Sequence, residues 1–255
     1  MTQFSGRAVA VTGGGSGIGR RTGLEFANRG VNVVVADVDR EGGEETVDLI
    51  EDESDAEATF VEVDVTESDR VEEMVSVAVE EYGSLDYAVN NAGIGGQQEL
   101  TADLPEENWQ RVIDINLTGV WQCLRHEIRQ MNDQDDGGAI VNMASILGKV
   151  GFETASAYTA AKHGVLGLTK TAALEYGTEG VRINAVCPGF IETPMLEEAG
   201  MLSDETVREE IERRHGLERL GTPAEVADAV VWLCSDDATF TSGEALAIDG
   251  GYLAR

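Results

Sequence analysis

The chain has 255 residues, of which 48 are acidic and 18 basic, and its formal net charge is −30. A surface of this sign repels the phosphates of nucleic acids and anionic lipids, which argues against both as partners. Hydrophobic residues make up 42% of the chain, enough for a large core, so the charge does not indicate disorder. No apolar run approaches the roughly 20 residues of a membrane span, and the segment 1–15 lacks a signal-peptide pattern. We therefore expect a soluble, cytoplasmic protein.

The basic residues are nearly all arginine, since only Lys149, Lys162 and Lys170 are lysines. Acidity combined with few lysines favours adaptation to molar salt. At about 1 M salt the Debye length is only about 3 Å, so the repulsion between surface charges is screened. Solubility at neutral pH is the simpler alternative. We predict a halophilic protein whose stability rises with KCl concentration.

The three cysteines stand at positions 123, 187 and 234. Their odd number and wide spacing argue against a disulfide framework and against a Cys-x-x-Cys metal site. We expect buried, unreactive thiols and no bound metal ion.

In chain order, β-rich apolar runs alternate with stretches whose apolar residues recur every three or four positions. The runs predict strands at 8–12, 32–36, 59–63, 87–91, 139–143, 182–186 and 245–248. The periodic stretches predict helices at 20–29, 40–51, 69–82, 106–131, 156–176 and 224–235. This alternation indicates βαβ units, and right-handed crossovers place helices on both faces of a parallel sheet. We predict one α/β domain over 1–255, built on a doubly wound parallel sheet of seven strands.

One segment interrupts this regular alternation. It begins at Pro188, extends to residue 220, and carries two of only four prolines. A long insertion beyond the carboxyl end of a strand is where an α/β protein often builds a substrate lid. We predict a substrate-binding loop or lid at 188–220, with a packed surface helix as the alternative.

The sequence TGGGSGIG occupies positions 12–19, directly after the first strand and at the start of the first helix. Glycines allow a tight turn and close approach of the backbone to a pyrophosphate, and the helix N-terminus offers free N–H groups. Because both flanking elements are in place, the motif predicts a Rossmann-type dinucleotide site. Its predicted contacts are Gly13, Ser16, Gly17, Ile18 and Gly19.

Asp37 ends the second predicted strand, 18 residues after Gly19. A carboxylate at this distance accepts hydrogen bonds from a ribose 2′-hydroxyl and repels a 2′-phosphate. Positions 16 and 38, where an arginine would favour the phosphate, hold Ser16 and Val38, although Arg40 is near. The sequence therefore predicts NAD rather than NADP as the cofactor.

Tyr158 and Lys162 are four residues apart in a predicted helix, so both side chains lie on one face. A phenol has an ordinary pKa of about 10, and a neighbouring ammonium lowers it toward the range useful for acid–base catalysis. Ser145 follows the fifth predicted strand and is placed to hydrogen-bond the same substrate oxygen. These three residues predict an acid–base centre.

Taken together, these motifs resemble the short-chain dehydrogenase/reductase family. TGGGSGIG, Asp37, NNAG at 90–93, Asn116, Ser145, YTAAK at 158–162, PG at 188–189 and IDGG at 248–251 occur in the order of that family. The resemblance extends from about residue 5 to residue 252, with no departure at a catalytic position.

The resemblance implies roles for four catalytic residues. Tyr158 is the general acid/base, Ser145 positions the carbonyl or hydroxyl group, and Lys162 tunes Tyr158. Asn116 holds a water that links Lys162 to solvent as a proton relay.

The resemblance also implies cofactor contacts beyond the glycine-rich turn and Asp37, with Asp64 and Val65 against the adenine and Ile191 and Thr193 at the carboxamide. The full implied set is Asp64, Val65, Asn91, Ala92, Gly93, Tyr158, Lys162, Pro188, Gly189, Ile191 and Thr193. The candidate substrate pocket is mostly apolar and comprises Ile94, Gly95, Ser145, Leu147, Phe152, Phe190 and Met195.

These residues predict an NAD-dependent oxidoreductase that interconverts a secondary alcohol, such as a cyclic alcohol or sugar, and a ketone. A 3-oxoacyl-thioester reductase is the alternative within the family, but it normally uses NADPH, against which Asp37 argues. A regulatory protein that senses NAD without turnover is an alternative of another class, against which the complete catalytic set argues. By resemblance we expect a homotetramer, with Trp109, Trp121 and Trp232 available for its interfaces.

Overall fold

Strands and helices alternate along the chain as the apolar periodicity predicts. The computed structural model describes residues 4–134 and 136–254. Its strands are β1 Ala8–Thr12, β2 Asn32–Asp37, β3 Ala58–Glu62, β4 Tyr87–Asn90, β5 Gly138–Met143, β6 Val181–Pro188 and β7 Ala245–Ile248. Its α-helices are α1 Gly17–Ala27, α2 Arg40–Glu53, α3 Ser68–Tyr82, α4 Glu106–Ile113, α5 Val120–Asp133, α6 Ser156–Tyr176, α7 Pro194–Glu198, α8 Glu205–Arg213 and α9 Pro223–Cys234.

The seven strands form one parallel sheet in the order β3-β2-β1-β4-β5-β6-β7. Val9 of β1 pairs with Val33 on one side and with Tyr87 on the other. The chain therefore winds outward from β1 in one direction and from β4 in the other. In open parallel sheets ligands bind beyond the carboxyl ends of the strands where the order reverses. The predicted doubly wound, Rossmann-type sheet is confirmed.

Two apolar layers cover the two faces of the sheet. One contains buried side chains of α3, α5 and α6, among them Met74, Leu124, Met131 and Val165. The other contains buried side chains of α1, α2 and α9, among them Phe26, Ile50, Val230 and Leu233. Because both faces are buried, the strands read as nearly continuous apolar runs rather than as alternating ones.

The prediction of a single helix over 106–131 is wrong, because the structure divides this stretch into three parts. Helix α4 ends at Ile113, a π-helical segment spans Asp114–Gly119, and α5 follows. Asn116 lies in this segment and exchanges two hydrogen bonds with the backbone of Ile94, so its position depends on a distant loop. Apolar periodicity does not register a local widening of this kind.

The segment predicted as a lid leaves the sheet after β6 and contains α7 and α8. An isolated parallel bridge between Ile191 and Gly221 joins the two ends of the segment just before α9 begins. Arg208 of α8 forms ion pairs with Glu192 and Glu212. Across the described residues, no helix has the length and apolarity needed to cross a membrane.

Candidate active site

The glycine-rich turn connects β1 to α1 at the carboxyl edge of the sheet. Gly13 and Gly17 have φ angles of +65° and +52°, which side chains other than glycine rarely adopt. A Cβ atom on Gly13 would lie 2.7 Å from Nδ2 of Asn91. Ser16 is exposed and Ile18 is half-buried, and both stand at the start of the helix, where N–H groups face outward. The turn therefore offers a backbone surface of the type that holds a diphosphate.

Arg20 connects the glycine-rich turn to α2, and no sequence motif indicates this role. Its guanidinium donates to the carbonyl oxygens of Gly15 and Gly42 and to Oγ1 of Thr46, and it pairs with Glu45. These bonds fasten the turn to α2.

Asp37 stands at the carboxyl end of β2, as predicted, and its carboxylate faces the turn. Oδ2 accepts a hydrogen bond of 2.8 Å from the N–H of Gly15, and Oδ1 accepts one of 3.0 Å from the N–H of Asp39. Val38 is exposed beside it. Arg40 is the basic residue nearest to Asp37 in sequence, and its guanidinium forms ion pairs with Glu44 and Glu62.

The segment after β4 lies directly against the glycine-rich turn. Thr12 Oγ1 accepts hydrogen bonds from the N–H groups of Asn91 and Ala92, and Asn91 Nδ2 donates to the carbonyl oxygens of Thr12 and Gly13. A Cβ atom on Gly93 would lie 3.1 Å from Asn116 Oδ1 and 3.7 Å from Lys162 Nζ. The segment thus connects the predicted phosphate site to the predicted catalytic residues.

The loop after β6 closes the opposite side. Gly189 donates to Ile248 and lies where a Cβ atom would meet Asp249 at 3.0 Å. Thr193 reaches the glycine-rich turn, because a Cβ atom on Gly17 would lie 3.6 Å from the methyl group of Thr193. Pro188 ends β6 and Ile191 is buried beyond it. The structure therefore brings this loop and the turn together around one crevice.

Asp64 and Val65 follow β3, at the far side of the same edge. Asp64 Oδ1 accepts hydrogen bonds from the N–H and hydroxyl of Thr66, and its side chain is otherwise exposed. Val65 is buried, and a Cβ atom on Gly119 would lie 2.6 Å from its methyl group. Both residues stand where the sequence places them.

Tyr158 and Ser145 meet at the centre of the crevice. The pKa of Tyr158 is raised above its ordinary value by burial, and a hydrogen bond with the Ser145 side chain opposes that rise. Ser145 Oγ also accepts the N–H of Leu147, which fixes the hydroxyl at the end of β5. The hydrogen bond with Ser145 thus favours the phenolate form of Tyr158.

Lys162 is 3% exposed and lies beneath Tyr158, with Nζ 5.5 Å from the ring centroid. Its ammonium donates to the carbonyl oxygen of Met143 over 2.7 Å. Burial lowers the pKa of Lys162 to about 8. The spacing of four residues thus places both groups on one helix face, as the sequence predicts. The effect of Lys162 on the pKa of Tyr158 stays a prediction.

Asn116 is fully buried behind these residues. Its Oδ1 accepts the N–H of Ile94 and its Nδ2 donates to the carbonyl oxygen of Ile94, both over 2.8 Å. These bonds fix the loop after β4 at Ile94, which leads into the predicted pocket. The π-helical segment supplies the local widening in which they form.

Aromatic rings pack around Phe190, which directly follows the Pro188–Gly189 turn at the end of β6. Phe190 packs at 6.0 Å from Phe152 and at 5.8 Å from both His215 and Tyr252, measured between ring centroids. Leu147 is buried, Met195 is exposed on α7, and Ile94 and Gly95 follow β4. His215 and Tyr252 were absent from the predicted pocket. Neither residue belongs to a sequence motif. His215 follows α8 and Tyr252 lies in the C-terminal turn, and the fold places both beside Phe190.

His215 fixes the loop that carries Phe190. Its Nδ1 is 2.9 Å from the carbonyl oxygen of Ile211, and its Nε2 accepts the N–H of Phe190 over 3.4 Å. One ring nitrogen must be a donor and the other an acceptor, so these partners select one neutral tautomer.

These residues fit a dinucleotide. The crevice has a backbone surface without side chains at Gly13 and Gly17, a carboxylate at Asp37, and a phenol with two buried polar neighbours at its inner end. The backbone surface suits a diphosphate, and the Asp37 carboxylate suits a ribose. The Tyr158 phenol suits proton transfer at a substrate oxygen.

Comparisons with known proteins agree with this geometry. A family model described as enoyl-(acyl carrier protein) reductase matches residues 13–253. The chain is 44% identical over 251 residues to the cis-4-hydroxycyclohexanecarboxylate dehydrogenase of Sinomonas cyclohexanicum, covering 98% of both chains. It is 42% identical over 256 residues to the cyclohexanol dehydrogenase of an Acinetobacter species, covering 99% of this chain and 97% of that one. A solved structure of levodione reductase matches with a TM-score of 0.95 and 39% identity, covering 98% of this chain and 99% of that one. The chain therefore belongs to the short-chain dehydrogenase/reductase family.

Proposed function

We propose that this protein is an NAD-dependent oxidoreductase that interconverts a cyclic secondary alcohol and its ketone. The observation that carries the proposal is the contact of Tyr158, Ser145 and Lys162 at the inner end of a dinucleotide crevice. A half-buried phenol with a hydroxyl group beside it has the chemistry to accept or donate a proton at a substrate oxygen.

The protein's part in the reaction is to orient the substrate and to move the proton. A bound nicotinamide supplies or accepts the hydride. As a phenolate, Tyr158 accepts the proton of the alcohol; as a phenol, it donates a proton to the carbonyl oxygen in the reverse direction. Ser145 hydrogen-bonds the same oxygen, and Lys162 and a water held near Asn116 carry the proton onward toward solvent.

Asp37 and its surroundings support NAD over NADP. The Asp37 carboxylate is held toward the glycine-rich turn by two N–H groups, where a 2′-phosphate would meet like charge. Arg40 is paired with Glu44 and Glu62 and lies over the ring of Phe60 at 5.5 Å, which directs its guanidinium elsewhere. The remaining proposed cofactor contacts are those predicted from the sequence.

The character of the pocket supports a neutral, ring-shaped substrate. Phe152, Phe190 and Leu147 offer apolar surface, and relatives are named for acting on cyclohexanol and on a hydroxycyclohexane acid. The segment 188–220 is proposed as the lid over this pocket. A 3-oxoacyl-thioester reductase, the second candidate in the family, is disfavoured by Asp37.

We also propose a homotetramer that works in a salt-rich cytoplasm. Trp121 and Leu174 are exposed on α5 and α6, and Trp232 and Phe240 are exposed near β7. Large apolar groups exposed together mark surfaces that other chains cover. Sedimentation equilibrium in molar KCl tests this, with the mass of four chains as the expected result.

The proposed activity is tested with a panel of cyclohexanols, sterols, sugars and 3-oxoacyl thioesters, each with NAD(H) and NADP(H), in molar KCl. We expect the highest kcat/KM for a cyclic secondary alcohol with NAD. Higher kcat/KM for a 3-oxoacyl thioester with NADPH would favour the second candidate. NAD binding without turnover of any substrate would favour the sensing protein.

A further inference from the structure

A chain of buried polar side chains runs behind the crevice and has no role in the mechanism above. Glu127 of α5 accepts a hydrogen bond of 2.9 Å from Asn90 Nδ2 at the end of β4. Asn90 Nδ2 also donates to Asn142 Oδ1 over 3.0 Å, and Asn142 Nδ2 donates to Thr169 Oγ1 over 2.9 Å. Thr169 in turn donates to the carbonyl oxygen of Val165. Both hydrogens of the Asn90 amide group and the hydroxyl hydrogen of Thr169 are therefore assigned.

Two acceptors in the chain have no partner among the described residues: Asn90 Oδ1 and Glu127 Oε1. Both hydrogens of the Asn90 amide group are already used by Glu127 and Asn142. An ionised carboxylate only accepts hydrogen bonds, so it would leave Asn90 Oδ1 and Glu127 Oε1 unsatisfied in a buried environment, where such atoms are destabilising. Addition of one proton to Glu127 converts one of the two acceptors into a donor.

Glu127 is 0% exposed, and among the residues that the structure describes no cation pairs with it. Cys123 lies one turn earlier on α5. Burial raises the pKa of its thiol, and a negative charge on Glu127 would raise it further. The neighbouring basic residues of α5 contact other groups: His126 Nε2 is 2.9 Å from Ser68 Oγ, with its pKa lowered by burial, and Arg125 lies over the ring of Trp121. Burial raises the pKa of Glu127 to about 8, against which only the Asn90 hydrogen bond acts. Carboxylates are rarely found fully buried without a paired charge.

We infer that Glu127 is a neutral carboxylic acid whose hydroxyl donates to Asn90 Oδ1, forming a two-bond acid–amide pair that positions the cofactor-binding segment 91–93. The pair satisfies both unpartnered oxygens at once. Asn90 directly precedes Asn91, whose N–H and amide groups bond the glycine-rich turn, and Gly93 lies within reach of Lys162. Glu127 is thus a positioning residue, acting through Asn90.

A protonated Glu127 makes the stability of the folded protein depend on pH. The pKa of Glu127 in the folded protein lies above its ordinary value of 4.5, so folding binds a proton. The stabilising contribution of this proton is complete below pH 4.5 and declines as the pH rises to about 8, where the folded protein ionises. Above that pH the Glu127 hydroxyl no longer exists to donate, so Asn90 Oδ1 loses its hydrogen bond while Asn90 Nδ2 still donates to Glu127.

The decisive variant is Glu127→Gln, because glutamine has the shape and hydrogen-bonding pattern of the protonated acid. Its amide accepts from Asn90 Nδ2 and donates to Asn90 Oδ1. Glu127→Leu removes the pair, and Asp133→Asn removes a charge from the exposed end of the same helix as a matched control. Tm of all four proteins, including the wild type, is measured from pH 6 to pH 9, about the range over which Glu127 titrates.

We expect the Tm of Glu127→Gln to match or exceed that of the wild type. Between pH 6 and pH 9, Tm should decline less in Glu127→Gln than in the wild type, whereas Asp133→Asn should show the wild-type decline. Glu127→Leu should have a lower Tm at every pH. Infrared difference spectra at pH 7 should contain the C=O band of a protonated carboxyl group in the wild type and in Asp133→Asn, and lack that band in Glu127→Gln. A Tm for Glu127→Gln as low as that of Glu127→Leu, or the absence of this band from the wild type, would overturn the inference.

The positioning role has a separate measurement, which rests on the proposed function. KM for NAD should rise above pH 8 more steeply in the wild type than in Glu127→Gln, with a smaller change in kcat. Equal pH profiles of KM in the two proteins would contradict the positioning role. Because the Tm and infrared measurements need no substrate or cofactor, failure of the proposed activity is distinguishable from failure of this inference.

Discussion

At the scale of single residues, the proton chemistry depends on opposing effects at Tyr158. Burial raises the pKa of its phenol, and the Ser145 side chain lowers it by hydrogen bonding. Oxidation of an alcohol requires the phenolate, so its rate should increase with pH until the phenol is fully ionised. Reduction requires the phenol and should show the opposite trend.

Ser145→Ala removes the group that opposes burial and should therefore move the rising limb of the oxidation profile to higher pH. It should also lower kcat/KM, because the substrate oxygen loses a hydrogen bond. The pH dependence of kcat/KM for alcohol oxidation is the measurement, with Ser145→Thr as the variant that retains a hydroxyl. An unshifted limb in Ser145→Ala would mean that Ser145 does not act on the Tyr158 pKa.

The sequence was sufficient to predict where the residues of a recognisable motif would lie. Tyr158 and Lys162 share a helix face because they are four residues apart in a helix. Asp37 ends β2 and Ser145 follows β5, and the apolar runs of these strands are visible in the sequence. Glu127, His215 and Tyr252 could not be found in this way. Their significance comes from burial and from partners far along the chain, such as Asn90 and Phe190, and no local pattern encodes either.

At the scale of secondary structure, periodicity was a reliable guide where packing is regular. Strands β1 and β7 and helix α6 have the bounds that the apolar pattern predicts. It failed at 106–131, because the π-helical segment depends on the Asn116–Ile94 hydrogen bonds. It also did not predict α7 and α8, which are short and carry few buried residues.

The start of α9 shows how an element supports the site. Thr222 and Glu225 form a capping box, and Arg219 bonds both oxygens of Glu225, lowering its pKa to about 2. The preceding residue, Gly221, donates to the carbonyl oxygen of Phe190 and accepts the N–H of Glu192. The cap therefore also fixes the loop that follows β6.

Thr222→Ala should destabilise the protein by about 1 kcal/mol, because the first turn of α9 loses its side-chain acceptor. For a chain of this size that corresponds to a decrease in Tm of about 2–4 °C. Thr222→Ser retains the hydroxyl and should keep the wild-type Tm within a fraction of that decrease. Equal Tm values for the alanine variant and the wild type would show that the cap does not stabilise this helix.

At the scale of the whole molecule, arginine and lysine side chains have different kinds of partner. Arginine supplies the cation of surface pairs such as Arg20–Glu45, Arg40–Glu62 and Arg219–Glu225. By contrast, Lys149 and Lys162 donate to backbone carbonyl oxygens. These pairs leave a net charge of −30, which repels itself at low ionic strength.

Tm should therefore rise as KCl increases from about 0.1 M to molar concentrations, where the Debye length falls from about 10 Å to about 3 Å. Thermal unfolding followed by circular dichroism measures this directly. A Tm that is flat or falls with KCl would contradict the predicted adaptation to salt.

Tyr158 is the proposed acid/base of an NAD-dependent oxidoreductase, and the proposed mechanism requires its hydroxyl group. The most direct test compares Tyr158→Phe with the wild type, in molar KCl, for turnover of the best alcohol in the panel and for the Kd of NAD. We predict a loss of turnover of about 10²–10⁴-fold, because the variant lacks the group that takes the proton, with a Kd for NAD close to that of the wild type. Near-normal turnover by Tyr158→Phe would contradict the account.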